Sequence, residues 1–235
     1  MKFLFIDETS DANKKDYFGI CIVLIDSSNY KLIKDGAQKI LKSSGWDPNI
    51  EFKGSTLFSS KSGDTKINVE KRLEIAENLL SLNLSSKNSR IKFAYCDFYS
   101  PNFKRDYLEN LPKLISKLLP SATKRAGKNL LSVHYDNHDS ISPKEVEKAI
   151  EKIIKNKKYY LFEDVIASKS NFETIGILYA DLVVYLYGRH EVLSKDKNIE
   201  KLSPDQTKTD HRVKKIKISK KLLKIIKNLK AYEVK

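Results

Sequence analysis

Cysteine is scarce in this chain, with two among 235 residues, Cys21 and Cys96. Two isolated thiols make no disulfide framework, and no Cys-x-x-Cys pair is present for structural zinc. Both lie in apolar, strand-like runs, which predicts reduced core residues in a cytoplasmic protein. Long apolar runs are missing too. No stretch approaches the roughly 18 apolar residues that a membrane span needs. The first apolar run stops at Asp7, too short for the h-region of a signal peptide. Gly-x-Gly-x-x-Gly and Gly-Lys-Ser/Thr phosphate loops are absent, as is a Gly-x-Ser-x-Gly nucleophile elbow. No internal repeat is visible. Acids are the minority charge, 30 Asp and Glu against 44 Lys and Arg, for a formal net charge of +14. Such a balance suits a polyanionic partner such as nucleic acid, a nucleotide or an anionic membrane surface. The lesser reading is a Lys-decorated surface with no partner. The 40% hydrophobic content excludes a disordered chain.

What is present is arranged around Lys2–Ser10. Phe3 to Ile6 read as a strand apolar on both faces, the pattern of a central strand covered on both sides. It runs straight into Asp7 and Glu8. Tyr17 to Ile25 read as a second buried strand, joined to the first as a hairpin. Helical spacing follows over 29–43 and 67–82, a strand over 90–98, and a helix over 103–119 with a possible bend at Pro112. Leu130–Asp136 is a strand that again ends in an acid. Ser142-Pro143 marks a helix start, with that helix running to about Asn156. A strand over 159–167 and an apolar helix over 172–187 follow. Residues 189–211 carry no period and are expected as a loop. Residues 212–230 hold nine Lys or Arg and no acid. Their latter part is expected as a helix with Ser219 as its cap. Alternating strands and helices predict an α/β fold with a mixed, mostly parallel central sheet flanked by helices.

Four acids stand out. Asp7 and Asp136 each close an apolar strand, and neighbouring strands would bring them together at the carboxyl edge of the sheet. Asp181 lies in Ile177-Leu178-Tyr179-Ala180-Asp181-Leu182-Val183, a helix apolar on all sides. A lone buried charge there costs several kcal/mol unless it is paired, protonated or bound to a metal. Glu51 and Lys53 sit two residues apart, so an extended segment points them the same way. A carboxylate beside an ammonium suits a metal next to a phosphate. Glu-x-Lys is also the core of a restriction-enzyme-like nuclease motif, although Asp47 lies closer than the usual partner acid. Carboxylates without thiolates describe a hard-cation site, for Mg2+ or Mn2+. Two such ions activate water and stabilise the leaving oxygen in phosphodiester cleavage.

Asp7-Glu8-Thr9-Ser10, Glu51-Phe52-Lys53-Gly54-Ser55, the strand ending at Asp136 and Gly176-Ile177-Leu178-Tyr179-Ala180-Asp181-Leu182-Val183 together form an ordered pattern. This pattern resembles the domain-of-unknown-function family 3800, whose fold is regarded as ribonuclease H-like. The resemblance runs from about residue 3 to residue 188. It implies a metal-dependent nuclease core over 1–190, with acids in the positions of Asp7, Glu51, Asp136 and Asp181 holding Mg2+ or Mn2+. It also implies a central first strand and a last acid on a late helix. Residues 191–235 would add a polar loop and a basic C-terminal helix. The chain departs from the pattern at Thr9-Ser10, where the family has Ser-Gly, and at Leu178, often Gln.

The reading from these observations is a nuclease acting on RNA or DNA, with water attacking in line and Lys53 stabilising the strained phosphate. The rival reading is a non-catalytic nucleic-acid-binding or partner-binding protein on the same fold. Glu8, on the opposite strand face from Asp7, is expected in a supporting role. His134 is expected as a packed strand residue and His138 as a loop residue. Lys169 is either a phosphate contact or a solvated side chain. The basic segment is a candidate surface for phosphates, for an anionic membrane or for solvent alone.

Overall fold

A computed structural model describes residues 1–11, 14–47, 50–59, 67–82, 91–123, 129–168, 174–226 and 229–233. Strand β1 (Lys2–Asp11) lies inside a mixed sheet. It pairs antiparallel with β2 (Lys14–Asp26) and parallel with β4 (Leu130–Asp136). β2 pairs antiparallel with β3 (Ile91–Tyr99), and β3 pairs parallel with β7 (Leu229–Glu233). β4 pairs parallel with the short β5 (Tyr160–Leu161) and β6 (Ile166–Ser168). The order is β5-β4-β1-β2-β3-β7, with β6 also on β4. The sheet is thus parallel except around β2, and both faces are covered. This is an α/β arrangement with a mixed, mostly parallel sheet, and its central first strand delivers an acid to the carboxyl edge.

Side chains of β1 alternate between two cores. Phe5 packs with residues of α1 (Ser27–Ser43), α2 (Val69–Ser81) and α5 (Ile175–Ser194). Leu4 and Ile6 pack with α3 (Phe103–Leu118) and α4 (Pro143–Asn156). Alternation therefore puts Asp7 on the α5 side and Glu8 on the α3 side. The register sets the acids' approach. Ile6 lies opposite Tyr135, and the next residue on each strand is an Asp.

α5 is buried on nearly every side, because β1 and β2 lie beneath it and α8 (His211–Ile225) lies along it. Its first turn comes so near the sheet that a Cβ on Gly176 would stand 2.1 Å from the Phe5 ring. α5 is longer than the apolar period implies, and it carries on into the stretch expected as a loop. Two short helices then fill the remainder, α6 (Lys197–Glu200) and α7 (Pro204–Thr209). A capping box between Ser203 and Gln206 starts α7. The basic helix also begins earlier than expected. Asp210, not Ser219, is its cap, accepting from the Arg212 N–H at 2.7 Å. Ser219 lies mid-helix and fully buried. The end of the chain then adds β7 to the sheet. The single strand expected over 159–167 is instead β5 and β6 on either side of a break. α3 runs through Pro112. Among the described residues, no helix is long and apolar enough to cross a membrane.

The contact of Gly176 with Phe5 is testable. Gly176→Ala forces overpacking, with an expected loss of about 1–3 kcal/mol. Urea unfolding should show that loss, and Phe5→Leu in the same chain should recover part of it through the shared space. Full additivity of the two changes contradicts the contact.

Candidate active site

Asp7 leaves the covered part of β1 only 3% exposed. Its Oδ1 accepts the Glu8 backbone N–H at 2.7 Å. Burial pushes its carboxyl well above the usual range, and the charges of Asp181, Glu8 and Asp136 push the same way. Asp136 closes β4 and is raised by burial and then by Glu51; Lys53 opposes the rise. Asp181 is reached from α5. Burial pushes it up to about 7, against the Gly54 N–H, with Glu51 and Asp136 adding to the rise and Lys53 opposing it.

The segment that carries Glu51 is held from both sides. Trp46 Nε1 donates to the Ile50 carbonyl at 2.7 Å, and Phe52 is buried edge-on against the Trp46 ring. Beyond it, Thr56 Oγ1 donates to the Lys53 carbonyl at 2.7 Å. The Gly54 N–H then donates to Asp181 Oδ2 at 2.6 Å. Gly54 is required by proximity, since a Cβ there would meet Tyr185 Cβ at 2.5 Å and the Asp181 carbonyl at 3.0 Å. With Phe52 turned inward, Glu51 and Lys53 point the same way and form an ion pair at 3.0 Å. Burial disfavours the Lys53 ammonium, and contact with Glu51 outweighs it, so its pKa rises.

The structure therefore brings Asp7 within electrostatic reach of Asp136 and Asp181, and brings Glu51 and Lys53 within reach of Asp136 and Asp181. Asp181 has no ion-pair partner among the described residues. As the side chains stand, no three His, Cys, Asp or Glu among the described residues are gathered as a metal-holding group. Lys169 lies outside the described residues. His134 is packed in the sheet, with Nε2 3.0 Å from Ser132 Oγ, Nδ1 3.1 Å from Ser168 Oγ, and its ring stacked on Phe5. His138 is bonded within its own turn to Ser140.

Glu8 is the residue that sequence reasoning undervalued. It does lie on the other face, but at the strand's exit that face is still enclosed. Burial, then Asp136, then Asp181, push its carboxyl up to about 8. Among the described residues its Oε2 is buried with no hydrogen-bond partner, and so is the Tyr107 hydroxyl on the same side of the sheet. The signal available in the sequence was the Asp-Glu doublet itself. A donor set made only of carboxylates, crowded enough to raise one another, with one buried oxygen left over, fits a hard divalent cation in its chemistry.

No family model matches the chain, and no curated protein matches it. Among solved structures, it is similar to a chain of the PCNA:RNase HII complex from Archaeoglobus fulgidus. That likeness has 12% identity and a TM-score of 0.48, over 95% of this chain and 89% of that one. It is also similar to ribonuclease H2 from Pyrococcus horikoshii OT3, at 15% identity and a TM-score of 0.44, over 95% of this chain and 100% of that one. At these values no residue's role is carried from either structure to this chain.

The raised carboxyls make stability depend on pH. In the metal-free folded chain, Glu8 and Asp181 keep their protons to about pH 8 and about pH 7, against ordinary values of 4.5 and 3.8. Across that window the folded state binds more protons than the unfolded chain. Its stability is therefore full below the lower values and falls as pH rises. Urea unfolding in a chelator should give a lower midpoint at pH 8.5 than at pH 5.5. The drop should shrink in Glu8→Gln and in Asp181→Asn. An equal drop in both variants contradicts the assignment.

Proposed function

We propose that this protein is a metal-dependent nuclease that hydrolyses phosphodiester bonds of RNA or DNA. The observation that carries the reading is the carboxylate cluster at the carboxyl edge of β1 and β4, where burial, and then neighbouring acids, raise the carboxyls of Asp7, Asp136 and Asp181, with Glu51 among the acids that act on Asp136 and Asp181. Such a cluster is stable as anions only with added positive charge. Asp7, Glu51, Asp136 and Asp181 would hold Mg2+ or Mn2+, and the buried Glu8 carboxylate joins this set as a further oxygen donor. When bound, the ions supply charge neutralisation for the phosphate and a water of lowered pKa.

The chain's own groups have separate roles. Asp7 and Asp136, on rigid neighbouring strands, fix the position of the reacting phosphorus relative to the sheet. The Gly54 N–H fixes one oxygen of Asp181 and leaves the other for coordination. Lys53 lies beside Glu51 with its side chain half exposed, so its ammonium is available to a phosphate oxygen. Water attacks in line, leaving a 5′-phosphate and a 3′-hydroxyl.

A specific observation favours the second reading, a nucleic-acid or partner binder without catalysis. Two of the oxygens the metal needs are already engaged, one by Gly54 and one by Lys53, and no three acids among the described residues are gathered as a metal-holding group. A cleavage assay on labelled RNA and DNA with Mg2+ or Mn2+ separates the two. Asp7→Asn and Asp181→Asn should each lower the rate by more than the 10- to 100-fold typical of losing a group that merely orients a ligand. Unchanged cleavage in both variants, with the fold intact, removes the site assignment. Absence of cleavage by the unaltered chain, with oligonucleotide binding retained, selects the binder.

A further inference from the structure

Asp181, Tyr185 and Arg189 stand at four-residue intervals on α5 and so share one face. The Arg189 guanidinium carbon lies 5.3 Å from the centre of the Tyr185 ring, and Arg189 Nε donates to the Tyr185 hydroxyl at 3.2 Å. Tyr185 packs against Phe58, with ring centres 6.2 Å apart. From α8, Lys215 Nζ sits 5.9 Å from the centre of the Phe58 ring. Behind Phe58 the chain is anchored by the buried Arg72, whose Nη2 donates to the Ser59 carbonyl. Two aromatic rings on fixed backbone thus hold two partly buried cations side by side.

Lys215 has no ion-pair partner among the described residues. Burial, and then the Arg189 charge, hold its ammonium below the usual pKa. Arg189 also lines a small cleft with Thr9 and Ser10, the residues that follow the Asp7-Glu8 pair. Arg189 therefore flanks the same strand exit as the acids. Eight residues of helix separate Asp181 from Arg189, about 12 Å along the axis. That is about three or four nucleotides at the ~3.4 Å rise of a stacked strand.

We propose that Arg189 and Lys215 form a subsite for a backbone phosphate of a nucleic-acid strand lying along α5 away from the acid cluster. The inference rests on the nuclease reading for what the acids do at the other end of the strand. Arg gives the phosphate a planar, two-pronged donor and Lys a point charge. The outward lysines of α8, among them Lys214 and Lys217, extend the positive surface beyond the subsite.

The test uses the full chain and a fluorescein-labelled single-stranded oligonucleotide, as RNA and as DNA, with Ca2+ as the divalent ion. Arg189→Gln with Lys215→Met removes the charges while keeping the aliphatic stems on the rings. The double variant should raise Kd about tenfold or more. It should also flatten the slope of log affinity against log salt by about 0.7, the share of one phosphate on a single strand. Lys215→Arg should retain wild-type affinity. Each variant is compared at equal thermal stability, and Arg189→Lys with Lys215→Arg serves where the charge-free pair does not fold, with its affinity expected to stay within a few fold of wild type. An unchanged Kd and slope in the double variant overturns the subsite. So does failure of the charge-retaining pair to bind. A wild type that binds but does not cleave in Mn2+ overturns the nuclease reading and leaves the subsite to be judged on Kd. Binding to anionic phospholipid vesicles without binding to either oligonucleotide overturns both.

Discussion

The structure depends on the repulsion among carboxylates at one edge of the sheet. β1 and β4 run parallel in a register that ends both on an Asp, and α5 lowers a third acid onto them from one face. Nothing in an apolar core favours this. Asp7 is enclosed, Asp181 is partly so, and Glu8 has one oxygen buried on the far side. Lys53 opposes the rise at both Asp136 and Asp181. Folding alone gains by keeping such groups protonated. A cation turns the same crowding into affinity.

Much of the surrounding architecture serves to hold that edge in place. Gly176 lets the first turn of α5 lie against Phe5, which sets how deeply Asp181 reaches toward β1. Gly54 lets the Glu51 segment lie on the next turn of α5, and its N–H fixes Asp181 from the other side. α8 and β7 close the outer side of α5 and the far edge of the sheet. The apolar character of α5 on every side follows from this position, between the sheet and the basic helix.

The parts of the fold readable from sequence were those governed by local chemistry. Leu130–Asp136 alternates and ends cleanly, and Ser142-Pro143 with Glu145 forms a capping box, so that strand and helix were legible to the residue. The shared direction of Glu51 and Lys53 followed from strand-like spacing. Other features needed tertiary context. β7 is a strand because β3 offers an open edge, and Ser219 is buried because α8 lies on α5, not because it caps anything. The box at Ser203 and Gln206 was legible but fell within a stretch without apolar period. Glu8 was placed on the correct face, yet strand alternation carries no information on whether that face is still enclosed at the strand's exit.

The central claim is that the acids at this edge are kept for a cation. Calorimetric titration of Mg2+ or Mn2+ into the metal-free protein near pH 6.5, in two buffers of different ionisation heat, tests it most directly. Binding must displace protons from carboxyls whose pKa values lie near or above that pH, because only the ionised form coordinates. The account requires a saturable heat that differs between the buffers in the sense of proton release and disappears in Asp7→Asn. No heat, or a heat identical in both buffers and unchanged in that variant, contradicts it.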